Sequence, residues 1–384
     1  MVDAAQVVGP GVPAAPTSTT PARTSAAPAD RPARPVRWTP RTVLVTASAA
    51  AEPHGRQVLQ RLERAGVEDV RFLSGDRLPN LRDASYGDAK RTLALVTSAA
   101  STRKPVPIPP SADWSFPIAQ GCPGHCQYCY LAGSLSGPPI TRVYADLPRV
   151  LAGLDDVVGA GSVTTGTAAR GHEGTTFEAS CYTDPLALEH VTGSLSATIS
   201  HFGTHDWAGP VQLRFTTKYD DVEDLLALPH GGRTRVRASV GVRDVERFEG
   251  GTARVPARLA ALGRLARAGY PVGLTIAPIM PVDDWRAEYG ALLASAAAEL
   301  DGVPGLDLTV ECITHRFTPK SKDVQLDWYP RTKLDLDESA RSRKHGRFGA
   351  VKYVYDAATT RELRGWFEDA LARELPAARV LYWT

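Results

Sequence analysis

A chain of 384 residues with 44 Lys+Arg against 42 Asp+Glu is nearly neutral, and it is long enough for two or three structural units and a sizeable core. Near-neutrality excludes a global polycation, so any nucleic-acid contact must be a local basic surface. No apolar run reaches the span of a membrane helix, and no basic-then-apolar leader follows Met1, so a soluble cytoplasmic protein with no membrane partner is expected.

Residues 1–37 are Ala, Pro and Thr with few large apolar side chains. Such a segment buries too little surface to offset its ordering entropy, and a disordered extension is predicted. Order is predicted from Trp38. A small N-terminal α/β appendage over residues 38–110 has strands at Thr42–Thr46, Val70–Leu73 and Leu93–Val96, with a helix at 54–65 that places Val58, Leu59 and Leu62 on one face. Arg82–Arg91 reads as polar loop. From Trp114 the pattern is regular, with strands at Trp114–Gln120, Thr176–Cys181, Val211–Lys218, Arg235–Val240, Val272–Ile279 and Leu308–His315. Helices at about 146–158, 188–202, 222–228, 255–268 and 284–300 lie between them. This alternation argues for parallel pairing by right-handed crossovers. Six units are too few to close an eight-stranded barrel, so the fold class is α/β with an open, partial (β/α)6 barrel over residues 111–320. Gly159–Gly174, rich in Gly, Thr and Ala, reads as a surface loop, and 321–384 as a basic and aromatic C-terminal extension.

Chemistry in parallel α/β barrels sits at the C-terminal ends of the strands. Periodicity sends there the loop after the first strand, together with Cys181, Lys218, Ser239 and His315. That loop, Gly121-Cys-Pro-Gly-His-Cys-Gln-Tyr-Cys-Tyr130, holds Cys122, Cys126 and Cys129 in the spacing Cys-x3-Cys-x2-Cys. Three thiolates on one tight loop can ligate three irons of a cubane and leave the fourth open, whereas a cluster that only carries electrons usually has four protein ligands. The alternative is structural zinc, completed by His125 or a distant cysteine. An odd cysteine count disfavours a disulfide framework. Cys181 is either a small core residue or a thiol placed to give a hydrogen atom to a carbon radical. Cys312, inside its strand, reads as core, and Glu178 as inward and paired. Lys218 and Ser239 are either solvated strand ends or groups that fix the carboxylate and ribose of a nucleoside cofactor.

Ten basic residues from Arg316 to Lys352, among them Arg341, Lys344 and Arg347, are interleaved with Phe317, Trp328, Tyr329, Phe348, Tyr353 and Tyr355. A second basic set, Arg233, Arg235, Arg237, Arg243 and Arg247, flanks the fourth strand. Such charge runs are either solvated faces or, with aromatics beside an open mouth, what a phosphate backbone and an extruded base need, and nucleic acid is the expected partner.

The cysteine spacing resembles that of the S-adenosylmethionine (SAM) radical enzymes. From Trp38 to Thr384 the chain resembles their spore photoproduct lyase branch. The carriers include Gly121–Leu131, Phe177-Glu-Ala-Ser-Cys181, Arg214-Phe-Thr-Thr-Lys218, Ala277-Pro-Ile279, His315-Arg-Phe-Thr318, Tyr329–Glu338 and Leu381-Tyr-Trp-Thr384. The resemblance implies a barrel of the radical SAM type carrying a 4Fe-4S cluster on Cys122, Cys126 and Cys129, with SAM on its open iron. It further implies reversal of the methylene-bridged thymine dimer in DNA, with Cys181 quenching the thymine radical and Tyr128 and Tyr130 returning a hydrogen to the cofactor. Thr183, where the family commonly has serine, Lys218 and Ser239 match SAM-contacting positions, and Arg347 matches a lesion-binding one. A flavodoxin or ferredoxin is the expected electron donor. Tyr182-Thr183 replaces the usual small pair after the donor cysteine, and the N-terminal extension and the 159–174 insertion also depart from the pattern. The alternatives are a related radical SAM enzyme acting on another substrate, and a nucleic-acid-binding protein whose metal is structural.

Overall fold

The computed structural model describes residues 34–134, 137–165, 170–345 and 351–384. The extension expected over 1–37 lies outside these up to residue 33. Val36 N donates to Asp220 Oδ1 at 3.1 Å and Arg37 Nε to Asp221 Oδ2 at 2.6 Å, so the last residues of that segment are held against the barrel.

An eight-stranded, curled half-barrel sheet forms the larger layer. Six strands run parallel and in chain order, at Ala112–Phe116, Thr175–Ala179, Val211–Thr217, Thr234–Val240, Val272–Ile279 and Leu308–Thr314. They correspond to the six periodic segments. The sheet continues past them. Arg379–Trp383 pairs parallel with Leu308–Thr314, and Val106–Ile108 pairs antiparallel with Ala112–Phe116. Residues assigned to a C-terminal extension thus supply a barrel strand, which a five-residue segment behind a helix does not announce.

The boundary expected at residue 110 also shifts. A second, five-stranded sheet takes Asp69–Phe72, Thr42–Val45 and Thr92–Val96 from before it, and Thr141–Tyr144 and Ala119–Gln120 from beyond it. The chain leaves the barrel sheet at Phe116 and enters the second sheet at Ala119, so the cysteine loop hangs between the two layers. Apolar side chains Val43, Val45, Leu93, Leu95 and Val143 of this sheet pack with Leu188 and Val191 of the barrel helix Pro185–Thr192.

Strand alternation divides the barrel residues between two environments. Phe177, Leu213, Phe215, Val236, Ala238, Leu274, Ile276 and Val310 lie in the main apolar core, together with the wholly buried Cys312. The opposite face is polar. Arg235, Arg237 and Ser239 alternate along one strand, and Gln212, Arg214, Thr216 and Lys218 along its neighbour. Arg235 and Arg237 are no more than 1% exposed, so they form no nucleic-acid surface. Arg237 Nη1 donates to Glu311 Oε1 at 2.6 Å and its Nη2 to Glu178, which is inward and paired as expected. Arg235 is bound to Asp307, and Arg214 to Glu173.

Glu173 belongs to the insertion read as surface loop, and it is buried. The segment is strapped down by Asp113, which accepts from Val163 N at 2.7 Å and Thr165 Oγ1 at 3.0 Å. The predicted helix at 188–202 is two helices, Pro185–Thr192 and Ser194–Thr204, broken at Gly193 with φ 65°.

Candidate active site

A cavity of about 450 Å³ opens at the C-terminal ends of the barrel strands. Cys122, Cys126, Tyr128, Cys129, Cys181, Thr183, Lys218 and Ser239 all line it. Tyr130 starts the short helix Tyr130–Gly133 beside it, and Arg347 lies outside the described residues.

The cysteine loop begins at Gly121, whose φ of 81° and close approach to the Ile140 carbonyl admit no Cβ. Gly121 N donates to Tyr182 O at 3.0 Å, which ties the loop to the turn after Cys181. His125–Cys126 then pairs antiparallel with Glu249–Gly250, and Gln127 N donates to Phe248 O at 2.8 Å. Beneath the loop, buried Lys90 donates to the carbonyls of both Cys122 and Gly124. Gln325 Nε2 reaches Cys129 O at 3.2 Å. Lys90 ends the helix Tyr86–Lys90 in a segment read as loop.

Burial raises the Cys122 thiol to about 11 against the pull of Lys90, so ligation there must displace a proton. Burial, then Lys90, lowers His125 to about 4, and its Nδ1 is engaged by Tyr86 Oη at 3.2 Å. Among the described residues no three His, Cys, Asp or Glu side chains are gathered closely enough for one metal ion. The three thiols of the loop all line the cavity, where they could ligate three irons of a cluster. A Cβ on Gly124 would lie 3.5 Å from Cys122 Sγ and 3.6 Å from Tyr219 Oη, a buried hydroxyl with no partner.

Cys181 follows Ser180, a non-glycine residue at φ 54°. Ser180 Oγ accepts from Ile118 N at 2.8 Å and Ala119 N at 3.1 Å, and its own amide donates to Phe116 O at 2.8 Å. These bonds hold a backbone conformation that is rare without glycine. Alternation would turn Cys181 away from Glu178 and Ser180, and the kink turns it into the mouth. Its Sγ lies 3.9 Å from Ser115 Oγ, and burial raises its pKa to about 11, so the sulfur keeps its hydrogen at neutral pH. Thr183 Oγ1 is buried without a partner.

Lys218 Nζ donates to Ser239 Oγ and to Glu249 Oε1, each at 2.8 Å. Glu249, fully buried in its side chain, also accepts from Tyr128 Oη and pairs with Arg258. Burial opposes its charge, but Lys218 and Arg258 overcome that and hold the carboxyl below its ordinary value. Asp184 accepts from Lys218 N at 2.7 Å and Thr217 Oγ1 at 2.8 Å while capping the helix Pro185–Thr192. Lys90, Asp184, Glu249 and Arg258 were missed in the sequence because a lone charged residue between short elements has no periodic signal. For Glu249 a usable hint was its place in a run of acidic and basic residues ending at Gly250-Gly251.

Several aromatics of the tail are structural. Phe317 and Tyr353 are buried and stacked at 5.3 Å, while Trp328 and Tyr329 pack on Tyr86 over the cysteine loop. Arg341 is buried on Asp335 and His315. Phe348 lies outside the described residues.

A family model described as spore photoproduct lyase matches residues 38–384. A spore photoproduct lyase of Geobacillus sp. (strain Y412MC61) is 38% identical over 352 residues, covering 90% of this chain and 99% of the relative. The spore photoproduct lyase of Bacillus subtilis (strain 168) is 35% identical with the same coverage of 90% and 99%. A solved spore photoproduct lyase complexed with dinucleoside spore photoproduct matches with TM-score 0.80 at 35% identity, covering 90% of this chain and 99% of its own. A mutant with bound AdoMet and the same dinucleoside matches equally, at TM-score 0.80. The chain belongs to the spore photoproduct lyase family.

Proposed function

We propose that this chain is a radical SAM lyase that returns spore photoproduct in DNA to two thymines. The observation that carries the reading is the meeting, in one cavity, of the three-cysteine loop with Cys181, Lys218 and Ser239. They come from separate strand ends of a curled half-barrel sheet, and relatives of the same fold hold AdoMet and dinucleoside spore photoproduct.

Cys122, Cys126 and Cys129 would hold the 4Fe-4S cluster, with Lys90 offsetting its negative charge from below. Thr183, Lys218 and Ser239 would hold SAM, whose carboxylate competes with Glu249 for the Lys218 ammonium. Bound there, cluster and cofactor would supply a 5′-deoxyadenosyl radical able to take the C6 hydrogen of the lesion, after which the methylene bridge would break. Cys181 then gives its S–H hydrogen to the thymine radical, leaving a thiyl. Tyr128, positioned by Glu249, and Tyr130 would pass a hydrogen from 5′-deoxyadenosine back to the Cys181 thiyl, so that the adenosyl radical re-forms and SAM is recovered. Arg347 would contact the lesion, and a flavodoxin or ferredoxin would deliver the electron.

Anaerobic reconstitution with iron, sulfide, SAM and dithionite, followed by addition of dinucleoside spore photoproduct, tests this. Formation of the dithymidine product is expected. 5′-Deoxyadenosine without that product would indicate another substrate, and neither would indicate a structural metal.

A further inference from the structure

We propose that His315 is a lesion-binding residue whose Nε2–H donates a hydrogen bond to a carbonyl oxygen of the thymine lesion at the barrel mouth. The inference rests on the function proposed above and adds to it a contact on the sixth barrel strand. His315 follows Leu308–Thr314, shares the inward face with Glu311 and Ile313, and lines the same cavity as Cys181. It is 2% exposed, and its Nε2 is buried with no hydrogen-bond partner.

The other ring nitrogen fixes the tautomer. Arg341 Nη2 lies 3.4 Å from His315 Nδ1, and Arg341 Nη1 donates to the His315 carbonyl at 3.3 Å. A guanidinium only donates, so Nδ1 accepts and the ring proton sits on Nε2. Arg341 cannot readily swing away, because Asp335 holds it at 2.9 Å and its guanidinium stacks 3.9 Å over the Tyr355 ring. Burial and the Arg341 charge lower the imidazole to about 3, so it remains a neutral donor. An unpaired buried N–H is costly, and an acceptor arriving with a ligand removes that cost.

Position and charge favour the lesion as that ligand. The groups suited to the cofactor's carboxylate and ribose, Lys218 and Ser239, stand just past the end of the third strand and near the end of the fourth. His315 instead sits at the root of the basic hairpin Ser342–His345/Val351–Val354. Arg341 directly precedes this hairpin, and Phe317 bridges to its Tyr353. A neutral donor matches a neutral base oxygen, while the hairpin lysines suit phosphate. The adenine of SAM also offers neutral acceptors, so the two ligands must be measured separately.

The test uses the full chain and measures binding of dinucleoside spore photoproduct and of SAM in separate titrations. His315→Phe keeps the ring and loses the donor, and His315→Gln keeps a donor. The phenylalanine variant is expected to lose about five- to tenfold in lesion affinity. SAM affinity should hold, and the glutamine variant should recover most of the lesion binding. Unchanged lesion binding by His315→Phe, a loss confined to SAM, or equal losses in both variants would each overturn the proposal. If the unaltered chain binds no lesion, the proposed function fails and this contact fails with it.

Discussion

Cys181 owes its direction to Ser180, whose positive φ breaks the strand alternation just before the thiol. The thiol's raised pKa matters because hydrogen-atom transfer uses S–H and a thiolate has no hydrogen to give. Cys181→Ala should therefore still cleave SAM and open the lesion, but divert the thymine radical to side products. Chromatography of the products from dinucleoside spore photoproduct checks this, and clean thymine at the normal rate would exclude Cys181 as donor. The sequence made Cys181 legible as a strand-end residue but did not show the kink that aims it. Arg235 and Arg237 carried a readable signal that was outweighed by the look of a charge run. They share period-2 register with Ser239, so a mouth-facing Ser239 already implies arginines inside the barrel. There Arg237 is matched by two buried carboxylates, an arrangement that is strongly destabilising to break, at roughly 3–5 kcal/mol.

At the scale of elements, long apolar segments were legible and short ones were not. The helix Trp285–Leu300 and the strand Val272–Ile279 fall where the sequence reading put them, because each is a long, largely apolar run. Thr141–Tyr144 and Tyr86–Lys90 have four and five residues, too few for a period to emerge, and their places come from tertiary pairing. Yet Tyr86–Lys90 reaches the cysteine loop most directly. Ser85 caps the helix by accepting from Asp88 N at 3.1 Å, and the helix delivers Lys90 to two loop carbonyls. Lys90→Met would keep the stem and leave those carbonyls unpaired, with no cation below the thiolates. Groups that orient ligands in this way typically contribute tenfold or more to metal affinity. The variant should lose iron to a chelator with a roughly tenfold weaker apparent affinity. Wild-type iron retention would show that the loop is set without Lys90.

Over the whole molecule, neutrality conceals a separation of charge. The barrel interior pairs its arginines with carboxylates, whereas the hairpin Ser342–His345/Val351–Val354 leaves Arg343, Lys344 and His345 exposed at the edge of the mouth. Lys344 stands directly across from Lys352 in the antiparallel ladder. Like charges so placed repel, at a cost of roughly 0.2–1 kcal/mol. Burial, then Arg316 and Lys344, depresses the Lys352 pKa, so the repulsion is felt at the ammonium itself. A fold that tolerates this pair without ligand gains when an anion bridges it, and the phosphates flanking a lesion are such anions. Lys344→Gln removes the repulsion and one phosphate contact together. Its binding to lesion-containing duplex should weaken, with the slope of log K against log salt falling by about 0.9, the share of one contact. The dinucleoside lesion, which brings no flanking phosphates, serves as the control and should show little salt dependence with either protein. An unchanged slope on duplex would place the phosphate contacts elsewhere on the chain, and the opposed lysines would then need another explanation.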